Sequence, residues 1–134
     1  LRPMSKIASG GEISRIMLAF KHIIGSNDSV ETMIFDEIDT GISGKTALVV
    51  GHKLSEIAKH RQIVCITHLP QIAASGDDNF SIDKKISDGK SHTVIEHLND
   101  NGKLEMLARL ISGAPDSSNA IEAARELIAA VKTE

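Results

Sequence analysis

The chain has no tryptophan and no tyrosine, and only three phenylalanines among its 134 residues. Stacking of bases on successive aromatic side chains is therefore excluded as its way of working, and a core has to be assembled from Ile, Leu, Val, Ala and Met. A single cysteine, Cys65, rules out a disulfide within the chain. It lies in the apolar run Ile63–Ile66, where a buried thiol in a reducing compartment is expected. No apolar run reaches the roughly 18 residues of a membrane-spanning helix, and no N-terminal stretch combines basic, apolar and small-residue regions in signal-peptide order. A soluble, cytoplasmic protein with no membrane partner is predicted. A dominant charge is also lacking: 15 Lys and Arg stand against 18 Asp and Glu, a formal net charge of −3. Nothing global then favours a polyanion, so nucleic acid would have to meet a local cluster such as Lys84, Lys85 and Lys90, or another part of a larger molecule.

Hydrophobic residues make up 41% of the chain, enough for one domain or part of one. It begins at Leu1-Arg2-Pro3 without Met, which suggests a segment of a longer protein. Ile13, Ile16, Met17, Phe20, Ile23 and Ile24 recur at helical spacing and predict one apolar helix face, with Gly25 as the stop. Ser9 and Glu12 have the Ser-x-x-Glu form of a capping box, which starts this helix near Gly10. Thr32 to Phe35 and Ile63 to Ile66 predict two short strands buried on both faces. Between them a helix is expected from about Lys45 to His60, through Leu48, Val49, Leu54, Ile57 and Ala58. Strand, helix, strand in this order implies a parallel pair with functional residues at the carboxyl ends. Phe80 to Ile86 and Thr93 to Leu98 flank Asp88-Gly89 and predict an antiparallel hairpin. Helices follow over Leu104 to Ile111, ended by Gly113 and Pro115, and over Asn119 to Val131, with Asn119 and Glu122 as a cap pair. The fold class is α/β: parallel strands with flanking helices, plus a C-terminal hairpin and helices.

Three constellations carry chemistry. Asp36 and Glu37 follow a buried strand, where one carboxylate can hold Mg²⁺ and the next can polarise a water that attacks phosphate. Asp39 is a further possible ligand, although shaping the following turn suits it better. Ser9-Gly10-Gly11-Glu12 opens a helix, whose unpaired N–H groups attract an anion once glycine leaves room for it. An ordinary capping box explains the same residues. His68 ends the second strand, from which an imidazole can meet a phosphate oxygen or orient a water; the remaining histidines are surface or packing residues. The stretch Gly41-Ile42-Ser43-Gly44-Lys45-Thr46 ends like a phosphate-binding loop, but that pattern needs a glycine where Asp39 stands. A carboxylate there repels phosphate, so no P-loop is assigned.

In order and separation these elements resemble the motifs of the ATP-binding-cassette ATPases. Ala8 to Glu12 looks like the signature motif, Thr32 to Glu37 like Walker B, Ile38 to Ser43 like the D-loop, and Ile63 to His68 like the switch-histidine strand. The longer strings "SKIASGGEISRIMLAFK", "IFDEIDTGISGKTA" and "ITHLPQIAA" look like the RecN family of bacterial DNA-repair ATPases, relatives of the SMC proteins, and specifically their C-terminal ATPase lobe. The likeness covers residues 5 to 75, and the tail from residue 76 fits by position. It implies that Asp36 coordinates Mg²⁺, Glu37 is the general base of ATP hydrolysis, and His68 senses the γ-phosphate. Ser9, Gly10, Gly11 and Glu12 would contact ATP bound to the opposite head of a homodimer. Ser43 stands where the widespread D-loop ends in Asp, which leaves that contact between heads in question. The Walker A loop is missing, so the resemblance implies a single lobe that needs an N-terminal partner lobe of the same protein and is inactive alone. It further implies recombinational repair of DNA double-strand breaks, contact with DNA through the full-length protein, and a nucleoid-associated place in the bacterial cytoplasm. Three other readings stay open: the nucleotide-binding domain of another cassette or SMC-type ATPase, a metal-dependent nuclease using Asp36, Glu37, Asp39 and His68, and a non-catalytic module docking through the signature helix.

Overall fold

The computed structural model describes residues 8–24, 30–87, 89–113 and 117–132. Leu1-Arg2-Pro3, the string before Ala8, the helix stop Gly25, the turn residue Asp88 and Pro115 lie outside the described residues. In chain order the elements are α1 (Gly10–Ile24), β1 (Thr32–Phe35), α2 (Gly44–Ala58), β2 (Gln62–Cys65), α3 (Pro70–Ser75), β3 (Asn79–Ser87), β4 (Lys90–Leu98), α4 (Asp100–Ser112) and α5 (Ser118–Lys132).

Strands β1 and β2 pair in parallel, from Thr32 beside Gln62 to Phe35 beside Cys65. One face of this pair is buried: Met33 and Phe35 join Leu18, Ile38, Ala47, Val50, Leu54, Ile57 and Ile72 in the main core. The expectation of burial on both faces fails, because Ile34 is 70% exposed and Val64 and Ile66 are also open. The apolar run is continuous, yet within the described residues helices cover only one side of the sheet. Helix α2 buries Ala47, Val50, Gly51, Leu54 and Ile57, whereas Leu48 and Val49 of its apolar run are exposed. Each fully buried aliphatic side chain contributes on the order of 1.5–3 kcal/mol, which makes this stripe the main attachment of α2.

Helix α1 departs most from expectation. Met17, Phe20, Ile23 and Ile24 form an apolar stripe that is largely exposed. The docked stripe is instead Gly11, Ser14, Arg15 and Leu18, spaced i, i+3, i+4 and i+7. Two of its four members are polar, and their hydrogen bonds, described below, replace apolar contact.

A second cluster joins the C-terminal elements: Ala74, Leu107, Ala108, Ala120 and Ala124 are buried, with Ile121, Leu127, Ile128 and Val131 packed against them. Helix α4 begins at Asp100, four residues earlier than its apolar pattern suggests, because the Asn99 side chain caps it by accepting from Gly102 N at 2.9 Å. Gly113 closes it in the left-handed region, φ 74°. Helix α5 begins at Ser118, and Ile121 N donates to Ser117 O, so Asn119 lies inside the first turn and does not act as the predicted cap. Helix α3 has no expected counterpart in the sequence, since six residues are too few to show a period and its one signal is Pro70 in the first turn.

The hairpin forms as expected and runs longer, from Asn79 beside Leu98 to Ser87 beside Lys90. Its pairing divides the basic cluster. Lys84 lies beside Thr93, whereas Lys85, beside His92, falls on the other face together with Lys90. The three lysines therefore do not make one patch.

Candidate functional site

Strands β1 and β2 end side by side, with Ile66 N donating to Phe35 O at 2.9 Å. This brings the segment after β1, residues 36–43, against Thr67 and His68 after β2. Asp36 leaves the strand exposed, and its Oδ1 accepts from Glu37 N at 2.9 Å. Glu37 has φ 57°, the one positive φ at a non-glycine position among the described residues. Such a backbone costs on the order of 1–3 kcal/mol and persists where its surroundings fix it. Here the fixing is visible: Glu37 O accepts from Thr40 N at 3.0 Å, and Gly41 turns the chain with φ 76°.

The start of α1 lies directly against this turn. Ser9 and Glu12 form the predicted capping box, with Ser9 N donating to Glu12 Oε2 at 2.8 Å and Glu12 N donating to Ser9 Oγ at 3.3 Å. The hydrogen bond from Ser9 N, followed by one from the Ser9 hydroxyl at 2.9 Å, holds the Glu12 carboxyl below its ordinary value. A Cβ on Gly10 would lie 2.6 Å from Glu37 Oε2, and one on Gly11 would lie 2.7 Å from Glu37 O. Gly11 is thus required by the approach of the Glu37 backbone, a packing reason that sequence could not reveal, whereas at Gly10 the close atom is the tip of the exposed Glu37 side chain, which can swing aside. Ser14 Oγ donates to Asp36 O at 3.0 Å, and Arg15 Nη1 donates to Ile38 O at 3.0 Å and Thr40 O at 2.9 Å. Sequence reasoning missed Ser14 and Arg15, because polar residues on an amphipathic helix read as its solvent face and their partners lie 22 to 25 positions away.

Asp39 is the buried centre of the site, 3% exposed. Its Oδ2 accepts from Thr67 Oγ1 at 2.6 Å and from His68 N at 2.8 Å, and His68 Nδ1 stands 3.0 Å from the same oxygen. The turn-shaping role expected of Asp39 is therefore incomplete, since its side chain ties the turn to the exit of β2. Burial raises its pKa, but the hydrogen bonds from Thr67 and the His68 amide, with the nearby imidazole, outweigh burial and leave the carboxyl below its ordinary 3.8. A depressed carboxyl pKa stabilises the fold above the unfolded value and loses that effect as pH falls through the folded one. We therefore expect the stability difference between the wild type and Asp39→Asn to shrink as pH falls below 3.8, measured by thermal melts between about pH 5 and pH 2. A difference that stays constant over that range would count against this linkage.

Cys65 is half-buried rather than fully buried, and burial, then the carboxylates of Asp39 and Asp36, push its thiol up to about 11. It is accordingly a poor nucleophile. Ser43 precedes α2 with an extended backbone, makes no side-chain capping bond and is exposed. Lys45 and Thr46 sit within the first turn of α2, as ordinary helix residues. Among the described residues no group of three or more His, Cys, Asp or Glu is placed to hold a metal ion, so the nuclease reading gains no four-residue metal centre. The structure thus makes two contacts out of the predicted residues, one between α1 and Glu37 and one between Asp39 and His68, at one edge of one sheet.

Comparison with known proteins gives this arrangement a context. No protein-family model matches the chain. It is 44% identical over 128 residues to the DNA repair protein RecN of Halalkalibacterium halodurans, covering 96% of this chain and 23% of that protein. Against RecN of Treponema pallidum the identity is 43%, covering 96% and 22%, and against RecN of Bacillus subtilis it is 41%, again covering 96% and 22%. The chain thus spans 22–23% of the length of these relatives. A solved chain from work on ATP-driven dimerization and DNA-stimulated activation of SMC ATPases is similar in fold. Its TM-score is 0.54 at 25% identity, covering 80% of this chain and 64% of that one.

Proposed function

Because the chain belongs to the RecN family, we propose that it is the C-terminal lobe of a split ATPase head, acting in recombinational repair of DNA double-strand breaks. The observation that carries this reading is the meeting of the Asp36-Glu37 turn, the capped start of α1 and His68 at the ends of two parallel strands. In this reading the hydrolysis of ATP to ADP and phosphate is completed by a lobe bearing a Walker A loop. The open sheet face of Ile34, Val64 and Ile66 supports such a partner, because a contiguous apolar surface of this kind is ordinarily covered. The N-terminal lobe of the same protein is the occupant we assign to it.

The residues present fit Mg²⁺ in the mode that ion prefers. Asp36 is exposed, and one of its oxygens accepts from Glu37 N. Mg²⁺ commonly takes one or two carboxylates and completes its shell with water and phosphate oxygens. When bound, the ion supplies neutralisation of phosphate charge. Glu37 then acts as the base, accepting a proton from the attacking water. His68 presents its ring, 71% exposed, at the adjacent strand end. Gly10 and Gly11 offer backbone N–H groups to the γ-phosphate of ATP on a second head, helped by the positive end of the α1 dipole, and Ser9 joins them by turning its hydroxyl proton from Glu12 to the phosphate. Glu12 holds the Ser9 hydroxyl in place, and Ser43, exposed before α2, lies on the same proposed head–head surface. DNA is engaged by the full-length homodimer, in the nucleoid-associated cytoplasm.

Calorimetry separates this half-site from a self-sufficient one. The 134-residue chain should show no micromolar ATP binding, and the full-length protein should show it. Micromolar binding by the chain alone would overturn the split-head reading.

A further inference from the structure

We propose that Asp39 is the positioning residue of His68: its buried carboxylate holds the ring at Nδ1, so that Nε2 is the atom turned toward the reacting phosphate. This rests on the reading that His68 faces the γ-phosphate. The geometry comes from two segments far apart in sequence. Asp39 lies in the turn after β1, and a single oxygen, Oδ2, takes the Thr67 hydroxyl at 2.6 Å, the His68 amide at 2.8 Å and the His68 ring nitrogen at 3.0 Å. Leu69 N donates in turn to Thr67 Oγ1 at 3.1 Å, which secures the hydroxyl from its other side.

Only 2% of the Asp39 side chain is exposed, against 71% for that of His68. Asp39 is thus enclosed and does not itself reach a nucleotide or an ion. The imidazole, by contrast, is held at one ring atom and otherwise open. An ionised carboxylate only accepts hydrogen bonds, so Nδ1 must carry the proton while this contact lasts. Of the two neutral forms of the ring, one is selected and its orientation is fixed. Because the same oxygen also takes the backbone amide of His68, a shift of the turn carrying Glu37 would shift the ring with it. The proposed base and the proposed phosphate sensor are in this way kept in register by a side chain that touches neither ligand.

The test has a spectroscopic arm and a kinetic arm. In the 134-residue chain labelled with ¹⁵N at histidine, long-range ¹H–¹⁵N spectra at alkaline pH should show His68 protonated at Nδ1 and bare at Nε2. In Asp39→Ala the signal should move to the mixture, rich in the Nε2–H form, of an unrestrained imidazole. If the alanine variant does not fold, Asp39→Asn keeps the volume without the charge and should show a weakened Nδ1–H preference. In the full-length ATPase, Asp39→Ala should lower kcat by roughly 10²-fold, the effect of a misplaced catalytic group. Added to His68→Ala, it should cause no further loss, because both changes remove the same unit. A ring protonated at Nε2 in the wild type, an unchanged ring in both variants, or kcat losses that multiply would overturn the proposal. If His68→Ala leaves kcat unchanged, the role of His68 in hydrolysis fails, and the tautomer result separately decides whether Asp39 holds the ring.

Discussion

Replacing Glu37 by Gln in the full-length protein should lower ATP turnover by roughly 10²–10⁴-fold, the usual contribution of a positioned general base, while nucleotide binding persists. The substitution is well isolated. Glu37 is exposed, and the contacts that fix its unusual backbone run through its carbonyl, which a change of side chain leaves in place. Gln matches Glu in length and shape, so the approach to Gly10 is preserved and stability should change by no more than about 0.5 kcal/mol. The amide lacks a basic oxygen, so it can orient a water but cannot take its proton. Single-turnover assays with a nucleotide-binding measurement would check this. Wild-type turnover by the variant would remove Glu37 from the role of base.

Ile38→Ala should cause a large loss of stability, about 2–5 kcal/mol, measured by urea denaturation. Ile38 is 0% exposed and belongs to the main core with Leu18, Phe35, Ala47 and Ile72. It also stands between Glu37 and Asp39, and its carbonyl accepts from Arg15. One side chain therefore anchors the turn that carries Asp36 and Glu37 in the hydrophobic interior. Its truncation leaves a cavity directly beneath the proposed active residues, and activity should fall along with stability. Ile38→Val, which removes one methylene, should cost only about 0.5–1.5 kcal/mol. A loss below about 1 kcal/mol for the alanine variant would show that the turn is held by its backbone contacts instead.

The sequence made the elements legible where local chemistry decides them. The Ser9-Glu12 box, the strands leading to Asp36 and His68, the crossover helix and the hairpin all follow from patterns a few residues long. It was less informative where a distant partner decides. Ile34 and Val64 have the composition of a strand buried on both sides, and only the folded chain shows that one side is open. The inward face of α1 was hidden because Ser14 and Arg15 do by hydrogen bonding what Ile and Leu usually do by contact. The part of Asp39 was likewise out of reach, since Thr67 and His68 lie 28 and 29 positions further along the chain. For the site itself, the individual residues were legible, and the contacts that align them were not.

The way α1 grips the turn has a practical corollary. Ser14 and Arg15 bind the carbonyl oxygens of Asp36, Ile38 and Thr40, not their side chains. A clamp on main-chain atoms is indifferent to what the clamped residues carry. Positions 36, 37 and 40 are exposed and can therefore be rewritten, one carboxylate for an amide or one hydroxyl for a methyl, without releasing the helix. Chemistry and attachment are separable here, so the loop can be mutated to interrogate catalysis while its scaffold stays in place.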